Sequence, residues 1–174
     1  DGRIYSKDDT GTENAITAGV TLGTEQATTS GTAIDFTGIP SGTKRITINL
    51  VGVSTNGTSN LLVQIGDSGG IETTGYDSSA QEAVTAAAST IGFILNGTAP
   101  IAADSYRGIV HLVLEDSSDN TWVASGTLGG TGTTRTHVFA GGKALSLTLD
   151  RVRLTTANGT DAFDVGAVNI TYEG

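Results

Sequence analysis

Gly66-Asp67-Ser68-Gly69-Gly70 has the form of a serine-protease nucleophile segment, so it is the first place to look for chemistry. A serine hydroxyl is a poor nucleophile until an adjacent base takes its proton and a third group orients that base. The chain has two histidines, His111 and His137, and both follow Ser68, whereas the protease order puts histidine and aspartate first. His111 lies in Ile109-Val110-His111-Leu112-Val113-Leu114, the pattern of an ordinary strand. The residue after the pentapeptide is Ile71, and without cysteine no disulfide can brace it. The expectation is therefore a glycine-rich turn leaving a strand that ends at Ile65. Asp67 and Ser68 then bond to local backbone, and the chain is read as a non-enzyme.

Other clusters offer weaker chemistry. Glu115, Asp116 and Asp119 could supply oxygen ligands to calcium, but such a site needs six to eight oxygens, so a solvated turn is expected and no metal is assigned. Asp161 and Asp164 read as surface residues. The Asn-Gly-Thr triplets at Asn56, Asn96 and Asn158 match a glycosylation sequon, and Asn-Gly also codes turns. Tyr76 sits in a Gly- and Ser-rich stretch and Trp122 is the sole tryptophan. An exposed aromatic offers an apolar face with a polar tip to a sugar ring, while core packing is the competing role for Trp122. The candidate binding residues are Tyr76, Asp77, Asp119 and Trp122. No cofactor is implied.

The composition narrows the class. The 174 residues fit one domain with room for a core. Charged residues make up 16%, below the roughly 25% of typical soluble domains, and the 25 glycines are about twice the usual share. Thr, Ser, Gly, Asn and Val dominate where helices would want Ala, Leu, Glu and Lys. The net charge is −9 with no basic run, which argues against nucleic acid and against electrostatic docking on anionic membrane. No apolar run approaches the roughly 20 residues of a spanning helix. The absence of cysteine suits synthesis in a reducing cytoplasm.

Residues 1–17 are polar and weakly patterned, an N-terminal arm or linker before a single domain over 18–174. Residues 44–53 alternate with Ile46, Ile48 and Leu50 on one face, run into Asn56-Gly57 and return through 61–65, which predicts a hairpin. Further strands are expected at 90–95, 108–115, 121–125, 136–139, 144–155 and 165–172. In the strand over 144–155, Leu145, Leu147 and Leu149 point inward. Ser79-Ala80-Gln81-Glu82 matches a helix capping box, so a short helix near 79–88 competes with a loop. The predicted fold is an all-β antiparallel β-sandwich, jelly-roll-like, with nine or ten short strands and at most that one helix.

Three segments carry a family resemblance: "SGTAIDFTGIPSGTKRITINLVGVSTNGTSNLLVQIGDSGGIETTGY" (30–76), "TWVASGTL" (121–128) and "LDRVRLTTANGTDAFDVGAVNITYE" (149–173). Together they resemble virion proteins of tailed bacteriophages and prophages, of the tail-fibre-like kind, and span most of the chain from Ala18 onward. Residues 77–89 match no family pattern. The resemblance implies a structural protein of the virion, made in the bacterial cytoplasm. It would be a tail or head fibre or spike domain, a homotrimer in contact with other virion proteins and with bacterial surface glycan. It supplies no catalytic residues. A capsid decoration or connector protein is the alternative, and a glycan-degrading tailspike hydrolase a third reading.

Overall fold

A computed structural model describes residues 5–15, 19–132 and 135–174, and every regular element among them is a strand. β1 (Tyr5–Lys7) and β2 (Glu13–Ala15) pair with each other. The Asp8 carboxylate accepts the Thr10 and Thr12 N–H groups in their turn. The expected arm thus includes a small hairpin, and its boundary near residue 17 lies outside the described residues.

Two antiparallel sheets make up the rest. Along the chain come β3 (Thr21–Leu22), β4 (Gln26–Ala27), β5 (Ala33–Thr37), β6 (Arg45–Thr55), β7 (Leu61–Asp67), β8 (Gly70–Ile71) and β9 (Asp77–Glu82). Then follow β10 (Thr85–Ser89), β11 (Phe93–Ile94), β12 (Tyr106–Asp116), β13 (Thr121–Gly130), β14 (Arg135–Ala144), β15 (Arg151–Thr156) and β16 (Phe163–Glu173). The nine-stranded sheet runs β10-β9-β14-β13-β12-β6-β16-β3, with β4 also on β16. The five-stranded sheet runs β11-β7-β15-β5, with β8 on β7.

The pairing is nested. With β3 and β4 counted as one interrupted strand, the framework is β3/β4, β5, β6, β7, β11, β12, β15 and β16. The first pairs with the last, β5 with β15, β6 with β12 and β7 with β11. One long antiparallel ribbon folded over into two layers gives this order, which is the jelly roll. The hairpins β9–β10 and β13–β14 are insertions that extend the larger sheet beyond β12.

Period-2 alternation explains the core. Ile46, Ile48 and Leu50 of β6, Val110 and Leu112 of β12, and Val168 and Ile170 of β16 face Ile34 and Phe36 of β5, Val63 and Ile65 of β7, and Val152 and Leu154 of β15. Trp122, Phe93 and Phe163 are among the largest fully buried side chains. β7 is buried along both faces. Its outward Gln64 is covered by residues 89–92, where Gln64 Nε2 donates to the Ile91 carbonyl at 2.7 Å.

The antiparallel sandwich is as predicted, and several local expectations are corrected. β6 and β7 do not form a hairpin. They lie in different sheets, and the Asn-Gly segment between them crosses the edge of the sandwich. There Asn56 Oδ1 accepts the Ala162 N–H. The Asp161 carboxylate fills the space where a Cβ on Gly57 would sit, 2.1 Å away. Residues 79–88 are neither helix nor loop but the β9–β10 hairpin, joined by Ala83 and Val84 with Ala83 at φ 49°. The strand expected over 144–155 is two strands, because residues 145–150 cross between sheets. Leu145 and Leu149 are buried, but Leu147 is exposed. The strand count is sixteen among the described residues, since the β9–β10 hairpin and several two-residue strands carry no readable pattern in the sequence.

Candidate functional site

Strand order brings the expected binding loops to one end of the sandwich. The GDSGG segment is the tight β7–β8 hairpin, with Asp67 paired to Gly70. Gly66 lies so close to β8 that a Cβ there would be 2.1 Å from the Gly70 carbonyl oxygen. The β12–β13 hairpin holds Asp119 at the same end. Its Asn120 carbonyl accepts the Leu145 N–H, tying it to the 145–150 crossing.

Ser146 joins the crossing to the GDSGG hairpin. Its Oγ lies 2.7 Å from Asp67 Oδ2 and 2.8 Å from Glu72 Oε1, so its single proton serves one carboxylate or the other. The Ser146 N–H donates to Glu72 Oε1 at 2.7 Å and the Leu147 N–H to Asp67 Oδ2 at 2.9 Å. The Gly69 N–H donates to Asp67 Oδ1 at 2.7 Å, and Lys143 forms an ion pair with the other oxygen of Glu72. The Ser146 bond, aided by the Gly69 and Leu147 N–H groups, outweighs burial and holds the Asp67 carboxyl below its ordinary value. Burial acts to raise Glu72, but Lys143 and Ser146 together hold it lower as well. Both carboxylates are thus ionised and already supplied with donors, which makes them clips between loops rather than acids poised to exchange protons.

Of the four sequence candidates, two are buried. Tyr76 is 3% exposed, stacked edge-on against Phe93 at 5.0 Å between centroids. Its hydroxyl accepts the Ile65 N–H at 2.8 Å and donates to the Glu72 carbonyl at 2.9 Å. Burial pushes that hydroxyl well above the usual tyrosine range. Trp122 is 2% exposed, within the core cluster. Neither aromatic offers a face to a sugar, so Tyr76 anchors the loop and Trp122 fills the core. Asp77 and Asp119 are exposed at this end. Asp119 Oδ1 accepts the Thr121 N–H at 3.1 Å and Asp116 Oδ1 the Ser118 N–H at 2.7 Å, so each closes its own turn. Among the described residues no group of three or more histidine, aspartate or glutamate side chains is placed to hold a metal ion.

The rim that remains accessible is polar. Asp67, Gly69, Gly70, Ile71, Glu72, Thr73, Thr74 and Ser146 line an open hollow of about 360 Å³. Sequence reasoning located the loop but missed Glu72, Lys143 and Ser146. Their partners are more than 70 residues away in sequence, and the only local signal was the polar Ser146 between Leu145 and Leu147.

The histidines lie away from Ser68. His111 Nδ1 is 3.3 Å from Thr47 Oγ1 on the larger sheet. His137 is fully buried, and its Nδ1 accepts the Gly97 N–H at 3.3 Å. Burial lowers its pKa and keeps the ring neutral, with Glu82, Arg135 and Asp104 acting on it more weakly. No protein-family model matches the chain, and no curated protein sequence matches it either.

Proposed function

We propose that the chain is a non-enzymatic structural module of a bacteriophage virion, a tail or head fibre or spike domain that self-associates and supports attachment to the bacterial surface. The observation that carries the attachment reading is the gathering of the GDSGG hairpin, the 145–150 crossing and the Asp119 hairpin at one end of a rigid jelly roll. Loops held on a rigid scaffold are the usual carriers of recognition. The resemblance of residues 30–76, 121–128 and 149–173 to virion proteins supplies the particle. The non-enzyme reading is supported by the internal pairing of Asp67 and Glu72 and by the distant engagements of both histidines.

Recognition at this rim proceeds by hydrogen bonding to the exposed Thr73, Thr74, Asp77 and Asp119 rather than by stacking. The test is binding of the intact protein to host cells and to a glycan array. Asp77→Ala combined with Thr73→Ala and Thr74→Ala should reduce retention while leaving the unfolding transition unchanged. Equal retention of parent and variant would remove the rim from the account.

The burial of Tyr76 and Trp122 favours a second reading, a capsid decoration or connector protein with no host ligand. Labelling the chain in purified particles separates the two, because a fibre tip and a capsid surface are distinct locations.

A further inference from the structure

The two sheets treat their outer faces differently. On the smaller sheet, Arg153 forks onto Asp35 with both bonds at 2.7 Å, Arg151 pairs with Asp150, and residues 89–92 cover β7. That face is charged or roofed. Among the described residues, the centre of the larger sheet's outer face has neither device; an ion pair, Arg45 with Glu173, lies at its rim, where Val20 also stands beside Thr47 and His111. The sheet's five long neighbouring strands, β14-β13-β12-β6-β16, are each 10 or 11 residues long. They expose Val51, Ile109, Val113, Val123 and Val138 at 40–63% of their surface. Threonine, serine and asparagine stand between them.

Charge separates the faces further. The chain has 18 acidic residues and a net charge of −9. No aspartate or glutamate stands in 47–51, 107–113, 123–129, 136–142 or 167–171, the central parts of these strands. Glu173, at the rim of the face, is paired with Arg45 at 3.0 Å. The centre of this face lets two acidic chains approach without carboxylates opposing one another. Its size is also adequate. Five strands about 4.8 Å apart, each rising about 3.3 Å per residue, cover roughly 800 Å². A stable protein interface takes about 800 Å² from each partner.

We infer that the outer face of the nine-stranded sheet is where a second copy of this chain docks, sheet against sheet. The inference rests on the self-association included in the proposed function and adds its location. Ile109, Thr127 and Val138 lie side by side by register, from the central strand β12 across β13 to β14 at one side of the contact.

The experiment is sedimentation velocity of the full chain over a concentration series. The parent should form an oligomer. Ile109→Glu with Val138→Glu should raise the dissociation constant more than about a hundredfold, the order expected when like charges face one another. Leu147→Glu, on the exposed crossing, should leave it unchanged. Because two new carboxylates on one face could disturb folding, a second variant reads the same contact. Thr127→Cys in this cysteine-free chain should be cross-linked between copies by a short bis-maleimide. An oligomer that survives the double variant and does not cross-link through Thr127→Cys would overturn this face while leaving self-association intact. A parent that remains monomeric throughout overturns the face and self-association together, and leaves the virion role to the particle-labelling test.

Discussion

Asp67 is an acidic residue whose work is mechanical. At 2% exposure it collects N–H bonds from Gly69 and Leu147 and shares the Ser146 hydroxyl with Glu72. Asp67→Ala leaves those part-buried donors without their acceptor and should cost about 1 kcal/mol, read as a lower urea midpoint. Asp161 plays the same part at the opposite edge crossing, held low first by Asn158 and then by the Ser59 N–H. Asp67, Glu72 and Asp161 all have folded pKa values below the ordinary 3.8 or 4.5. The unfolded chain therefore takes up protons first on acidification. Their contribution is complete well above those ordinary values and is lost as pH falls through the lower folded ones. His137 acts in an earlier window. Its folded pKa is depressed by burial, so the stability gained by keeping it neutral is full above 6.5 and declines as pH falls below that value. Urea midpoints between about pH 7.5 and about pH 5 should fall in the parent and in His111→Ala. In His137→Phe that decline should disappear, although the Gly97 N–H loses its acceptor and overall stability drops.

At the level of the element, the β9–β10 hairpin holds a correctable strain. Ala83 occupies φ 49°, where a Cβ crowds the backbone. Ala83→Gly should stabilise the protein by about 1 kcal/mol and raise Tm by about 2–4 °C in calorimetry. The same hairpin shows where sequence reading stops. Ser79-x-x-Glu82 is a good capping box, and Ala86, Ala87 and Ala88 favour a helix. Yet Ser78 and Ala80 are buried while Asp77 and Ser79 are exposed, the alternation of a strand. Register with β14 decided this, and that register is set by contacts some 60 residues away. The alternation of Ile46, Ile48 and Leu50 was readable because a period of two is a property of the strand itself. Which sheet the next strand joins is not, so Asn56-Gly57 reads as a hairpin turn although it is a crossing. Tyr76 was misjudged for a related reason. Its neighbours are small and polar, but the β7 backbone and Phe93 that enclose it come from elsewhere in the chain.

For the molecule as a whole, the contrast between an acidic body and a sheet face with no carboxylate over its centre predicts how association responds to salt. Repulsion between two chains of net charge −9 is long-ranged, while the docking face contributes little charge. Raising salt from about 10 mM to about 150 mM shortens the Debye length from about 30 Å to about 8 Å. It should therefore tighten self-association, and sedimentation at the two ionic strengths would show a larger oligomer fraction in the saltier buffer. The nested strand order has a consequence of another kind, in time rather than space. β16 lies between β3/β4 and β6, and is the strand through which β3 and β4 join the larger sheet. A growing polypeptide on the ribosome cannot close that layer until residues 163–173 have emerged. Nascent chains stalled before Phe163 should be degraded readily by added protease, whereas released chains that include residues 163–173 should acquire resistance, and slowly, because pairings so distant in sequence form slowly.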